Sequence, residues 1–172
     1  ETNILSSYYL EEHFKDTDKK ILHFCDLGKS SLSKEDIESF DIVIIPPNIK
    51  FEKNLRIDLF INTRSFMEMN LSTVEKYFNL IQSNIKPNGF FLNINRYHKS
   101  TSNEKNMIAH YPYDLNWKIM LSEKAFLQDW IHLLLTKRVN EVNQDFHDEL
   151  ENLKEHSKKH ITSLPKRLLF NI

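Results

Sequence analysis

Two short segments combine chemically useful residue types with a position where a fold could use them. Asn62, Ser65 and Glu68 follow the apolar run Ile57-Asp58-Leu59-Phe60-Ile61. Asn95, Arg96 and His98 follow a second run, Gly89-Phe90-Phe91-Leu92-Asn93-Ile94. Polar groups placed directly after apolar strands belong at the carboxyl edge of an open sheet, where such folds bind their ligands. Glu68 could take a proton or accept a hydrogen bond from a hydroxyl; it could equally cap a helix. Asn62 and Ser65 could hold a ligand or hold their own turn, which both residue types stabilise. Arg96 suits a diphosphate, and with Asn95 it forms a substrate-binding candidate. His98 titrates near neutrality and is the alternative base.

These segments need elements to position them. Residues 57–61 and 90–94 are continuous rather than alternating apolar runs, the pattern of strands covered on both faces of a parallel sheet. Between them Ser72-x-x-Glu75 opens a helix as a capping box, and Val74, Tyr77, Phe78, Ile81 and Ile85 form one apolar stripe. Lys86-Pro87-Asn88-Gly89 ends that helix and turns the chain. The stretch 57–95 therefore reads as a βαβ unit with a right-handed crossover. Residues 99–115 are polar and read as a loop. Trp117–Phe126 and Trp130–Val139 read as two strands with only three residues between them, which predicts an antiparallel pair. From Val139 on, Val142, Phe146, Leu150 and Leu153 recur at steps of three and four, the stripe of an amphipathic helix. A basic tail with Lys158, Lys159, Lys166 and Arg167 follows it. That stripe needs a partner, either the sheet or a second copy of the chain.

Upstream, the pattern predicts a helix over 4–14, a strand over 20–25 and a helix over 31–40 started by Ser33. Asp41-Ile42-Val43-Ile44-Ile45, stopped by Pro46-Pro47, reads as a strand. The boundaries divide the chain into a sheet domain at 1–139 and a helix with its tail at 140–172.

The composition is 40% hydrophobic and 27% charged over 172 residues, ordinary for a globular chain. The net charge of -1 gives no footprint for nucleic acid or an anionic membrane. No apolar run is long enough to cross a bilayer. Cys25 is the only cysteine, so no intrachain disulfide forms. With no secretory signal, the expected compartment is the cytoplasm. His156 and His160 stand four apart but lack the acid of a metalloprotease motif, so no metal is expected. The other histidines, His110 and His132 among them, read as packing or surface residues. There are only 2 glycines, Gly28 and Gly89, and no glycine-rich turn follows a first strand.

The segment Asp58-Leu59-Phe60-Ile61-Asn62-Thr63-Arg64-Ser65-Phe66-Met67-Glu68-Met69 resembles the fourth-strand signature of the sugar O-methyltransferases, Asn-Thr-x-Ser-Phe-x-Glu-Met after an apolar strand. Gly89-Phe90-Phe91 and Asn95-Arg96 are similar to the end of that family's fifth strand. Ser6-Ser7-Tyr8-Tyr9-Leu10 resembles the helix after its second. The resemblance implies a partial Rossmann-like class I methyltransferase sheet of α/β class, ending in an antiparallel strand pair and a helix. It also implies S-adenosylmethionine as cofactor and a sugar or nucleotide-sugar as substrate. Asn62, Ser65 and Asp26 would then contact the cofactor, Asp26 as the acid near the adenine. Asn95 and Arg96 would hold the sugar, and Glu68 or His98 would act as base. The family's glycine-rich cofactor loop and first strand would precede Glu1, so the chain is expected to be a fragment, inactive by itself. Two other readings stand beside it: a non-catalytic interaction module built on the apolar helix stripe, and another doubly wound nucleotide-binding enzyme.

Overall fold

A computed structural model describes residues 2–46, 49–52, 55–101, 104–126 and 128–163. Glu1, Pro47, Leu127, Lys166 and Arg167, which enter the sequence reading, lie outside them. The chain divides into two compact units, Glu1–Leu55 and Arg56–Ile172.

The first unit is small. Helix α1 (Thr2–Phe14) leads to strand β1 (Ile21–His23), followed by β2 (Ser31–Leu32), α2 (Lys34–Glu38), β3 (Ile42–Ile44) and β4 (Lys50–Phe51). β1 pairs with β3 and β2 with β4, both parallel. The predicted strand at 20–25 is shorter than expected, because Phe24–Leu27 curls into a 3-10 turn. The predicted helix at 31–40 is a single turn: Ser31 and Leu32 are taken by β2. Ser33 does cap that turn, its hydroxyl accepting from Asp36 N while the Asp36 carboxylate accepts from Ser33 N. α1 is tied to β1 through His23, whose ring bonds Ser7 (2.9 Å) and Glu11 (2.7 Å).

The second unit carries a four-stranded mixed sheet in the order β5-β6-β10-β9. β5 (Ile57–Thr63) and β6 (Ile85–Arg96) are parallel neighbours joined by α3 (Leu71–Asn84), so the expected βαβ unit is present. β9 (Trp117–Ala125) and β10 (Gln128–Arg138) form the expected antiparallel pair, and β10 also runs antiparallel to β6. β9 is consequently parallel to β6. The turn between β9 and β10 is tighter than expected: Ala125 already pairs with Gln128, inside the predicted connection. This is a mixed α/β architecture.

Four local expectations change. The cap of α3 is Asn70, whose side chain accepts from Thr73 N (2.8 Å); Ser72 only donates to Asn70. β6 begins at Ile85, straight off the helix, and the pairing with β5 jumps from Ile57↔Ile85 to Leu59↔Phe90. Residues 86–89 are therefore a bulge, with Asn88 at φ 66. A Cβ on Gly89 would come within 2.8 Å of Ile85 Cγ1 and 2.9 Å of the Lys86 carbonyl, so only glycine closes that bulge. The predicted loop at 99–115 holds a hairpin, β7 (His98–Thr101) with β8 (Glu104–Met107), and a 3-10 turn at Ile108–His110. Its strands are polar, so apolar periodicity could not show them.

The fourth change concerns the last helix, α4 (Gln144–Ser163). It buries Phe146 and Leu153 fully and Leu150 in part, but Val142 precedes the helix and is 65% exposed. The stripe is therefore shorter than predicted. It docks on the core of the second unit, where Phe146 meets the Tyr113 ring edge-on at 5.2 Å. Phe66, Phe78, Phe91, Tyr111, Tyr113 and Trp117 complete an aromatic cluster with centroid spacings of 4.6–6.4 Å. Phe146→Ala should lower unfolding stability by about 3–5 kcal/mol in urea denaturation. Val142→Ala should change it by less than about 0.5 kcal/mol; equal effects would contradict this docking.

Candidate functional site

The carboxyl ends of β5 and β6 meet in a ladder of amides. Asn62 Nδ2 donates to Ser65 Oγ (2.5 Å), and Asn62 Oδ1 accepts from Phe66 N (3.3 Å) and from Asn95 Nδ2 (2.8 Å). Asn95 Nδ2 also donates to Asn93 Oδ1 (2.5 Å), and Asn95 Oδ1 accepts from Met67 N (3.1 Å). Asn93 Nδ2 then donates to the Tyr113 hydroxyl (2.9 Å). Asn93 and Asn95 have no solvent exposure. Buried amides of this kind must be paired, and here every side-chain group of Asn95 is.

Three of the sequence candidates, Asn62, Ser65 and Asn95, are thus brought together. Their polar atoms are spent on one another and on the backbone of 66–67, so they shape the turn after β5. Glu68 ends that turn. Its carboxylate is half exposed and accepts from the Lys99 ammonium of β7. Arg96 alternates away from Asn95 and lies on the opposite face of β6. Its Nε is buried without a hydrogen-bond partner among the described residues. His98 opens β7, half-buried, paired with Met107 across the hairpin. Asp26 belongs to the first unit, exposed in the 3-10 turn after β1.

Sequence reasoning missed two contributors. Asn106 of β8 is 2% exposed and donates to the carbonyls of Phe66 and Met69, both at 2.9 Å, clamping the turn that carries Glu68. A lone Asn in a polar stretch leaves no pattern to find. The second is a chain of groups at the ends of β6 and β9. His132 is 3% exposed; its Nδ1 lies 2.9 Å from the Tyr97 hydroxyl and its Nε2 2.8 Å from Ser122 Oγ. Ser122 also donates to the Glu149 carboxylate of α4. Burial, with help from nearby His156, pushes the His132 pKa down to about 4. Burial, with Glu149 and Asp129, raises that of Tyr97. His132 read as a packing residue, and it does pack; its partners lie 35 and 10 residues away, beyond any local signal.

Among the described residues, no group of three or more His, Cys, Asp or Glu side chains is placed to hold a metal ion. No helix among them is long and apolar enough to cross a membrane.

No family model and no curated protein matches the chain. Solved structures that are loosely similar include the following two. One is a protein from Sulfolobus solfataricus classed as a type 11 methyltransferase, with 17% identity, covering 79% of this chain and 93% of that one, at a TM-score of 0.37. The other is from work on the conversion of a disulfide bond into a thioacetal group during echinomycin biosynthesis, with 12% identity, 87% and 86% coverage and a TM-score of 0.38.

Removing one rung of the ladder leaves the others unsatisfied. Asn95→Ala should cost about 1–3 kcal/mol in urea unfolding. It should also loosen the 66–69 turn, read as faster amide exchange at Met67; unchanged exchange there would count against the clamp.

His132 gives a pH test. Its folded pKa lies below the ordinary value of about 6.5, so the unfolded chain binds the extra proton first. The stabilisation is complete above about pH 6.5 and disappears as pH falls toward about 4. Its size is on the order of 3 kcal/mol. His132→Gln should flatten that part of the urea-midpoint profile; an unaltered slope would show that His132 titrates normally.

Proposed function

We propose that this chain is the acceptor-binding part of an S-adenosylmethionine-dependent O-methyltransferase acting on a sugar hydroxyl. One observation carries the reading. The Asn62–Asn95 bond joins the carboxyl ends of two adjacent parallel strands and holds a turn that presents the Glu68 carboxylate to solvent. That is where an open α/β sheet meets its ligands. The strand order, with β10 antiparallel between β6 and β9, agrees with what the sequence resemblance implies.

A sugar hydroxyl is a weak nucleophile until a base draws off its proton, and in this reading Glu68 is that base. Lys99 fixes the carboxylate by occupying one oxygen. Asn106 and Asn95 fix the turn beneath it, the alignment on which displacement chemistry depends. The cofactor side fits less well. Asn62 and Ser65 are committed to each other, and Gly89 serves packing in a bulge rather than a close backbone approach to a ligand. These residues do not by themselves make a cradle for S-adenosylmethionine.

A second reading, an interaction module, draws on a separate feature. α1, in the first unit, exposes Ile4, Leu5, Tyr8 and Tyr9, each by 66–74%. Contiguous exposed apolar groups mark contact surfaces.

In the complete parent enzyme, assayed for methyl transfer from S-adenosylmethionine to sugar acceptors, Glu68→Gln should lower turnover by roughly a hundredfold or more with cofactor affinity little changed. Near-normal turnover would remove Glu68 as base and shift the role to His98. A complete parent protein that neither binds S-adenosylmethionine in calorimetry nor methylates any sugar would favour the interaction module.

A further inference from the structure

The sheet of the second unit has two outer strands, β5 and β9, and they are built differently. An outer strand offers a row of backbone N–H and C=O groups, a template for another strand unless charges, proline or bulges guard it. β9 is guarded. Lys118, Glu123 and Lys124 stand exposed along it, and its pairing with β10 slips between Gln128 and His132 and again between Leu135 and Thr136. β5 has β6 as its only neighbour among the described strands and carries no such guard. Ile57-Asp58-Leu59-Phe60-Ile61-Asn62-Thr63 holds no proline and a single charge, Asp58, which is paired with Lys86 of β6. Leu59 and Ile61 are 47% and 61% exposed.

The ladder fixes which backbone groups face outward. Thr63 pairs with Ile94, and Arg64 N donates to the Ile94 carbonyl (2.7 Å). Successive residues of a strand turn their backbone groups to alternate sides. Phe60 and Asn62 therefore bond β6, while Leu59 and Ile61 point their N–H and C=O groups away from it. These outward groups, and the two exposed apolar side chains, stand symmetrically about Phe60. Turned about a twofold axis at Phe60, the strand fits itself. Leu59 of one copy falls opposite Ile61 of the other, and the two exchange both backbone hydrogen bonds; the symmetric pair does the same. Their side chains meet on the exposed face, and Phe60 meets its own copy on the core face. An unrelated strand would need no such symmetry.

We propose that β5 is a homodimer edge: two copies of this chain pair antiparallel through it and join their four-stranded sheets into one. The inference does not depend on the methyltransferase reading. A seven-residue edge is smaller than the roughly 800 Å² per partner of a standard interface. The dimer is accordingly weak, with a dissociation constant of about 0.1 mM.

Sedimentation velocity and amide exchange, each at about 10 μM and about 1 mM chain, test this. The average mass should rise toward that of a dimer. The Leu59 and Ile61 amides should exchange about fourfold more slowly at the higher concentration, the change in free monomer that this affinity gives. Phe60 and Asn62, already bonded to β6, should change less. Ile61→Pro removes an outward donor without touching a bond to β6, so the chain should stay folded and monomeric. Should that variant unfold, Ile61→Lys, a charge on the same edge, should abolish the dimer instead. A monomer at the higher concentration, a dimer in which Leu59 and Ile61 are not slowed, or a dimer that survives the substitution would each overturn the proposal. None of these results bears on turnover at Glu68, so the methyltransferase reading stands or falls separately.

Discussion

The second unit depends on how it satisfies Asn95, a fully buried amide inside an aromatic core. An unpaired amide there would cost a few kcal/mol, so its neighbours must supply one acceptor for each hydrogen and a donor for its oxygen. Asn62, Asn93 and Met67 N do so, from β5, from the same strand and from the turn beyond β5. A shift of β5 against β6 by one residue would turn Asn62 to the other face and break the ladder. The polar ladder therefore sets the register of the parallel pair more sharply than apolar contacts could. It also fixes where the chain leaves β5, and with it the position of Glu68.

The aromatic cluster and the ladder share one face of the sheet. Phe91, Asn93 and Asn95 alternate along β6 onto that face, with buried Tyr97 directly after the strand, and β10 sets Thr136, Leu134 and His132 opposite the three strand residues. α3 covers the aromatic end through Val74, Phe78 and Ile81, and α4 adds Phe146 and Leu153. Apolar packing dominates where the helices lie flat. Toward the carboxyl edge the core becomes polar, first as amides and then as the Tyr97–His132 pair. This gradient places hydrogen-bonding groups at the carboxyl edge of the sheet and keeps them rigid by burial.

His132 shows burial and connection acting together. Removed from water, its imidazole stays neutral through the physiological range and passes a hydrogen-bond direction from Tyr97 to Ser122. Its stability contribution and its role in aligning Glu149 have the same cause. Ser157 joins α4 to this region by reaching the Tyr97 carbonyl at 2.9 Å and the Leu153 carbonyl at 2.8 Å. α4 is thereby tied to the chain just after β6.

Local pattern was enough for the elements whose signal is short-range. Continuous apolar runs marked β5 and β6 as strands, though not as strands covered on both faces, since β5 lies at the sheet edge and leaves Leu59 and Ile61 exposed; the stripe of Val74, Phe78 and Ile81 marked α3, and the close pair of apolar runs marked β9 and β10. Each follows from burial of side chains at a fixed period, which one chain segment displays by itself. The grouping of Asn62, Ser65 and Asn95 could be anticipated too, since all three follow apolar strands. Their use could not: only the tertiary structure shows that they bond one another, because amide pairing depends on register across two strands. The hairpin at 98–107, the clamp from Asn106 and the connection of His132 to Tyr97, Ser122 and Glu149 were equally invisible in the sequence. The clamp and the His132 connection join residues 10 to 40 positions apart through polar atoms, and hydrogen bonds at that separation leave no periodicity to read.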